Sequence, residues 1–382
     1  MNLAVFSHKP CWRSAVSPTG FATDGGFPMQ MAALSELFES TRLVVPCLPG
    51  GARSGETALQ GRHLTVVPVA MPRGGDSTRK LALPAWFARH GALLVREVRR
   101  ADAVHTPIPG DIGTLGMLIA YGLRKPLFVR HCGNWLAPRT AAERFWRNFM
   151  EKHAGGRNVM LATGGGDDPP STRNANVRWI FSTSLREEEV SRLAQPRCAV
   201  DRDRLVMVHV GRQELEKGAG VALRALPLLP GAVLHVVGDG SALTRWRSEA
   251  TELGLADRVV FHGRVGHEAV IDALRAANLF VFPTTSSEGF PKAVHEALAC
   301  GLPVVTTRVS VLPSLIGRGC GVLLDHATPE AVAAAVRACT SSADEYARMS
   351  ETALQVAREY TLERWRDTIG SLLGRAWGET LR

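Results

Sequence analysis

Apolar runs of strand length alternate with segments of helical periodicity along nearly the whole chain, and this alternation limits the fold more than any other feature of the sequence. In order come "NLAVF", a helix from about Pro28 to Glu39, "RLVVP", "LTVVPV", a helix through "ALLVREVRR", "DAVH", a helix at "IGTLGMLIAYGLR" and "PLFVRH". Strands that are apolar throughout and separated by helices are expected to pair in parallel. A parallel neighbour needs a long crossover, and the crossover helices then cover both faces of the sheet. "VRWIFSTS" is followed by a polar stretch with few strand signals, "LREEEVSRLAQPRCAVDRDR", which reads as an inter-domain linker. A second alternating set runs through "LVMVHVG", "AVLHVVGDG", "RVVFHG", "LFVFP" and "PVVTT", with helical segments between them. The expected fold is α/β, two doubly wound Rossmann-like domains of about 1–190 and 200–360, facing each other across a cleft at the carboxyl ends of their strands. At 382 residues each domain has enough chain to bury its own core. The last helix, about 361–382, is placed to cross back onto the first domain.

Composition narrows the function classes. No apolar run approaches the length needed to span a bilayer, and "MNLAVF" is followed by polar residues, so it reads as a first strand rather than a leader. The seven cysteines are scattered, with no C-x-x-C pair, which points to reduced thiols in a cytoplasmic protein; no metal-ligand spacing appears. A net charge of +9 admits nucleic acid, an anionic membrane surface or an anionic substrate. The arginines are spread over many segments with no nucleic-acid motif, so nucleic acid is not expected as a partner. G-x-G-x-x-G is absent from every strand-to-helix turn and G-x-x-x-x-G-K-[ST] from the whole chain, which removes the main support for a dehydrogenase or a P-loop enzyme.

The segment Ser286 to Val305, "SSEGFPKAVHEALACGLPVV", passes from loop to amphipathic helix to strand. Glu288 suits the start of a helix, where an acid complements the exposed amides. Glu296 falls in the second turn beside Val294, Ala297 and Leu298, where a buried carboxylate needs a partner. Their spacing calls for a ligand, with the amides of Gly289, Phe290 and Lys292 facing an anion or sugar hydroxyls. Upstream, "VGRQELEKG" puts Arg212 and Lys217 in the loop leaving the first strand of the second domain, a pair of cations suited to a diphosphate. The other reading of this loop is a solvated turn balanced by Glu214 and Glu216.

These pieces together resemble a known family. "GR…EKG", the "VGDG" turn at Val237 to Gly240, "FHGRV" at Phe261 and the E-x7-E pair Glu288…Glu296 occur in this order in retaining glycosyltransferases of the GT-B fold, glycosyltransferase family 4. The resemblance is close from Leu205 to Asp325 and looser in the first half. It implies that Arg212 and Lys217 hold the nucleotide diphosphate and stabilise it as it leaves, that Glu288 lies at the donor sugar, that Glu296 binds the ribose, and that Arg264 and Val265 flank the base. The reaction it implies is metal-independent, retaining transfer of a hexose or N-acetylhexosamine from a UDP-linked donor to an acceptor hydroxyl, in polysaccharide or glycolipid biosynthesis. No cofactor is expected beyond the nucleotide sugar, and the acceptor is a saccharide or a lipid-linked sugar. The departing phosphate itself takes the acceptor proton, so no dedicated base is needed.

In the first domain, "TDGGFPMQMAALSELFE" sets Gly25 and Gly26 between strand and helix, where the family has a glycine-rich loop. "FVRHCGNW" ends a strand at His131, where the family often has a histidine near the anomeric centre; His105 in "DAVHTPIPG" is its rival, and Asp111 and Asn134 are candidates for acceptor contacts. One departure stands out: where relatives read "GGLPE", this chain has "SVLPS" from Ser310 to Ser314, without the glycines or the acid. Alternatives on the same fold are a nucleotide-sugar epimerase or hydrolase, and a non-catalytic nucleotide-sugar-binding protein. Finally, "RKLALPAWFARHGALLVREVRR", Arg79 to Arg100, joins basic ends to Leu81, Leu83, Trp86 and Phe87. It reads either as an ordinary surface helix or as a peripheral contact with an anionic membrane.

Overall fold

The structure, a computed structural model, describes residues 1–50, 56–138, 140–198, 200–201, 204–287 and 289–381. The chain forms two compact units. The first comprises Met1–Thr163, Asp168–Ser184 and Leu362–Arg382; the second comprises Gly164–Asp167 and Leu185–Thr361.

Strands of the first unit are β1 (Asn2–Phe6), β2 (Trp12–Arg13), β3 (Phe21–Asp24), β4 (Ser40–Cys47), β5 (Glu56–Ala58), β6 (Leu64–Ala70), β7 (Ala103–Ile108), β8 (Leu127–His131), β9 (Asn158–Thr163) and β10 (Val177–Ile180). Among the described residues, seven of them make one parallel sheet in the order β10-β9-β8-β7-β1-β4-β6. Its strands are apolar on both faces because both are covered. In β1, Leu3 and Val5 pack beneath the helices Phe27–Ser35 and Leu362–Trp377, while Ala4 and Phe6 pack beneath the helices Asp76–Arg100, Asp111–Gly122 and Ala141–His153. The strands β2, β3 and β5 form a small antiparallel sheet that the sequence reading passed over, since runs of two to four residues carry no periodicity. Trp12 and Ser14 both donate to the Glu56 carboxylate, at 2.9 and 3.0 Å, and this sheet fixes the chain just before Gly25.

The second unit holds β11 (Val206–Val210), β12 (Val233–Val237), β13 (Val259–Gly263), β14 (Leu279–Phe282), β15 (Val304–Thr307) and β16 (Gly321–Leu324). They pair in parallel in the order β13-β12-β11-β14-β15-β16, so the direction of winding reverses between β11 and β14. In such sheets ligands bind outside the carboxyl ends at that reversal.

One boundary differs from the sequence reading and the other falls where it was expected. The stretch expected to be a linker after residue 190 already belongs to the second unit from Leu185 and carries a helix, Glu187–Leu193. It is held there by Arg197, whose guanidinium donates to the carbonyls of Cys300 (3.2 Å), Arg275 (3.0 Å) and Leu274 (3.3 Å), satisfying helix-end acceptors that would otherwise lack partners. At the other end, the helix Ala343–Ala357 stays with the second unit. Tyr346 donates to the Asn278 carbonyl at 2.9 Å, and His295 bonds the Ala357 carbonyl at 3.0 Å. The final helix, Leu362–Trp377, belongs to the first unit, with Leu362, Trp365, Ile369 and Leu373 fully buried there.

Candidate functional site

The second unit has a pocket of about 810 Å³ at the carboxyl ends of β11, β12 and β13, walled by Arg212, Glu214, Asp239, Arg264, Val265 and Val270 over a glycine floor. The loops that follow β11 and β12 are joined by backbone bonds from Gly211 N to Val237 O (3.0 Å) and from Gln213 N to Asp239 O (3.0 Å). The buried Gln213 amide donates to the Gly211 and Val237 carbonyls at 2.9 and 3.2 Å. Gly238 adopts φ +120°, and a Cβ there would lie 1.9 Å from the Gly211 carbonyl oxygen. The pocket floor is therefore main chain, pressed too close for a side chain. A flat, amide-rich surface of this kind suits a phosphate or a planar base.

Arg212 is exposed at the mouth of the pocket. Lys217 is buried at the end of a short 3₁₀ turn, Leu215–Lys217. The turn is tied to the loop after β14: Thr285 N and Thr284 Oγ1 donate to the Glu216 carbonyl at 2.9 and 3.0 Å. Gly218 follows at φ +92°, where a Cβ would meet the Pro283 carbonyl at 2.5 Å. Beneath Lys217, burial holds the His209 imidazole down at about 4, against the pull of its bond to the Val281 carbonyl, and the Lys217 cation adds to the depression. His209 is thus neutral and leaves Lys217 the charged group. Glu214 sits below the usual carboxylate range, chiefly because the Ser241 hydroxyl and amide bond to it.

Glu296 lies on the helix Lys292–Ala299, almost wholly buried. Burial raises its pKa, while His267, 3.8 Å away, and Lys292 lower it, and Glu189 raises it further. Pro291 takes the cap position, with the Val294 amide 3.1 Å from its carbonyl. Phe290 is nearly buried and its ring packs on Tyr360 (5.3 Å) and His295 (6.1 Å); its side chain is an anchor, and only its backbone remains for the ligand role expected of it. Gly289 and the half-buried Lys292 follow the same loop into the helix. Glu288, expected at the donor sugar, lies outside the described residues.

The other expected site residues are in the first unit. His131 ends β8, fully buried, its ring edge-on to Trp135 at 5.3 Å. Burial lowers its pKa to about 4, with Glu143 and the Gly133 backbone opposing, so it is neutral at pH 7. His105 stands in mid-strand, stacked on Phe128 at 4.1 Å and bonded to the Phe128 carbonyl at 3.0 Å, with its pKa lowered to about 3 mainly by burial. It belongs to the sheet interior, and of the two histidines only His131 occupies a strand end. Asn134 caps its own loop, accepting from the Ala137 amide at 3.0 Å. Asp111, at the start of the helix Asp111–Gly122, pairs with Arg79 at 3.0 Å and faces His8, a residue the sequence reading missed. His8 stands two residues beyond β1, at the strand end nearest the winding reversal, and that position was its only signal. Gly25, at φ +70°, has nothing within 4 Å of where a Cβ would be, so backbone conformation and not crowding selects glycine there; Gly26 caps the helix Phe27–Ser35.

Two doubly wound parallel units, one carrying a glycine-floored and cation-edged pocket at its strand ends, define the GT-B class of folds. Solved structures agree. HepE of Anabaena, determined in complex with UDP-glucose, matches with a TM-score of 0.71 over 98% of this chain and 100% of that one, at 18% identity. WaaG, a glycosyltransferase involved in lipopolysaccharide biosynthesis, gives 0.63 over 98% and 99%, at 15% identity. At the level of sequence, the glycosyl transferases group 1 family matches residues 194–356. The 2-deoxystreptamine N-acetyl-D-glucosaminyltransferase of Streptomyces fradiae is 34% identical over 378 residues, covering 88% of this chain and 89% of that protein. The chain belongs to the glycosyl transferases group 1 family. With the D-inositol 3-phosphate glycosyltransferase of Streptomyces griseus it shares 34% identity over 181 residues, so it covers only 38% of that relative's length.

Proposed function

We propose that the protein is a retaining, metal-independent glycosyltransferase that moves a hexose or N-acetylhexosamine from a UDP-linked donor to an acceptor hydroxyl. The observation that carries this reading is the pocket at the ends of β11 to β13, in which Arg212 and Arg264 stand over a floor of Gly211, Gly238 and Gly240. In it the diphosphate meets Arg212 and loop amides, with Lys217 on the adjoining turn, the base lies toward Arg264 and Val265, and Glu296 takes the ribose hydroxyls. Charge that develops on the leaving phosphate is met by fixed cations and dipoles, a contribution of several kcal/mol to the barrier in a preorganised site. His131 and the Gly25–Gly26 turn serve the sugar and acceptor side, and the enzyme acts in the cytoplasm on a saccharide, cyclitol or lipid-linked acceptor.

The relative that spans both units transfers N-acetylglucosamine to an aminocyclitol, by its name. The test is therefore a donor panel beginning with UDP-N-acetylglucosamine and UDP-glucose, with 2-deoxystreptamine and simple saccharides as acceptors. It is read by UDP release and by the anomeric configuration of the product, with and without EDTA. Retained configuration with EDTA-insensitive release is the expected result. Donor consumption without acceptor would point to an epimerase or hydrolase, binding without turnover to a carrier protein, and EDTA inhibition reversed by Mg²⁺ would overturn metal independence.

A further inference from the structure

The helix Asp76–Arg100, read from the sequence either as an ordinary surface helix or as a membrane contact, spends most of its apolar stripe on the sheet. Trp86 is buried with its indole N–H on the Ala70 carbonyl at 2.8 Å, Leu94 and Val98 are fully buried, and Leu83 packs against the same core. Leu81 and Phe87 remain outside. The larger apolar surface lies on its two neighbours, the helices Asp111–Gly122 and Ala141–His153, which cover the same sheet face. A continuous line of rings runs across them. Tyr121 meets His153 at 5.0 Å, with a 2.9 Å hydrogen bond; His153 meets Phe149 at 4.5 Å, Phe149 meets Trp146 at 5.7 Å, and Trp146 meets Phe145 at 4.7 Å. Phe145 is 60% exposed and Leu118, beside the line, 43%.

The segment that carries this surface is strongly basic, although Arg130 is buried on the opposite sheet face against Trp365 and Arg79 and Arg147 are paired with acids. Residues 79 to 152 contain thirteen Lys and Arg against five Asp and Glu, which accounts for +8 of the chain's net +9. The five acids are all engaged: Glu97 with Arg42, Asp111 with Arg79, Glu151 with Arg147 and Arg173, Asp102 with the Asn2 amide, and Glu143 in the cap of its own helix. The Arg124 and Lys152 side chains stand exposed beside the rings. Lys125 ties the end of the helix Asp76–Arg100 to the same corner through the Arg99 and Ala101 carbonyls, at 3.1 and 2.6 Å. This brings in a groove of about 480 Å³ with Ala92 and Val95 between Arg96, Arg99 and Arg100.

We infer that the outer face of the helices Asp111–Gly122 and Ala141–His153 docks on an anionic bilayer surface. Exposed aromatic and aliphatic side chains ringed by cations enter the headgroup region of such a surface, where each half of the pattern adds to the other. Nucleic acid would reward the cations but not Leu118 or the aliphatic rim. A second copy of the chain would have to bring the same positive face against itself.

The test uses the whole protein and sucrose-loaded vesicles of phosphatidylcholine, with or without phosphatidylglycerol, sedimented at low and moderate salt. Binding to the anionic vesicles alone is expected, fading with salt. It should drop about fivefold for each of Arg124→Gln and Lys152→Gln, and be lost in Phe145→Ser/Tyr121→Ser, with melting followed by circular dichroism to show that the variants fold. The proposal is overturned by failure to bind anionic vesicles, by equal binding to neutral ones, by indifference to these substitutions, or by a dimer in light scattering that Phe145→Ser dissolves. None of these readouts depends on sugar transfer.

Discussion

Replacing Gly238 by Ala tests whether the glycine floor is what makes the pocket. The added methyl would sit 1.9 Å from the Gly211 carbonyl oxygen and 3.3 Å from the Gln213 amide nitrogen, at φ +120°, where an L side chain is strained in any case. To reach even a tight contact the carbonyl must retreat by about 1 Å. It cannot do so without disturbing the bonds from Gly211 N to Val237 O and from Gly238 N to Gly263 O, at 3.0 and 2.8 Å. Backbone strain of about 1–3 kcal/mol, with roughly 0.5 kcal/mol for each of the two bonds weakened, gives a local cost of about 2–4 kcal/mol. Most of it is borne by loops that relax outward in the free protein and must be drawn back to bind, so the cost should appear mainly in affinity. A loss of between about tenfold and a hundredfold in UDP affinity follows from 1.4 kcal/mol per decade. The melting temperature should fall by only a few degrees, at about 2–4 °C per kcal/mol for a unit of this size. Calorimetric titration with UDP and thermal melting of the same preparations decide it. A variant that binds UDP within about twofold of the parent would show that the two loops do not form the diphosphate and base seat.

Removing one cation at a time should separate contact from chemistry: Arg212→Ala and Lys217→Ala should each lower UDP-releasing turnover by about a hundredfold or more, and near-parental rates in both would dismiss them as diphosphate ligands. Glu288→Gln should act mainly on turnover and Glu296→Ala mainly on donor affinity; equal losses in affinity alone would show their roles to be wrongly divided. Glu296 should also cost the free protein stability. Its folded pKa is raised, so below the ordinary carboxylate value both states are protonated and nothing is lost, and as pH climbs through that value the unfolded chain ionises first and the folded state falls behind. Glu296→Gln should therefore melt higher than the parent at pH 7 and no higher at pH 4, and a lower melting temperature at pH 7 would mean that His267 and Lys292 already compensate the charge.

What the sequence made legible was governed by long-period signals. The strand Leu279–Phe282 is an unbroken apolar run and Val206–Val210 is interrupted only by His209, and a run of that kind admits few placements other than the interior of a parallel sheet. The glycines and cations of the pocket were legible for a similar reason: Arg212 and Gly238 each follow such a run directly, where a doubly wound sheet puts its ligand. Features that depend on tertiary partners were not. Nothing near Phe290 announces Tyr360, so the sequence shows the amide read as a ligand contact but not the ring that anchors the loop beneath it. Nothing in "LREEEVSRLAQPR" announces that Arg197 will cap the helix ends of the second unit, so the boundary was set a few residues late. Pro84 also sits inside the helix Asp76–Arg100, on the exposed side, where a proline in the sequence suggests a break. The exposure of Phe145 on Ala141–His153 was hidden for the opposite reason, since Trp146, Phe149 and Met150 of the same helix pack on the sheet core. An amphipathic pattern says that a helix has an apolar stripe but not whether a sheet or the solvent receives it.

The residues at which local rules fail are also those to which the proposed function gives a ligand. Glu296 is a buried carboxylate with the His267 imidazole 3.8 Å away, Lys217 is a buried lysine in a turn, and Gly238 surrenders a side chain so that two loops can touch. An apolar residue in place of either charge would suit the free fold better. Gly238 lies on the pocket floor, Lys217 on the turn that follows β11, and Glu296 on the helix between β14 and β15, so the three flank the reversal between β11 and β14. A chain selected only for stability would lose these features independently of one another. On the function proposed above, one ligand accounts for all three, with hydroxyls for the acid, phosphate oxygens for the cation and a flat surface for the glycine, and the substitutions of Gly238, Lys217 and Glu296 test that account together.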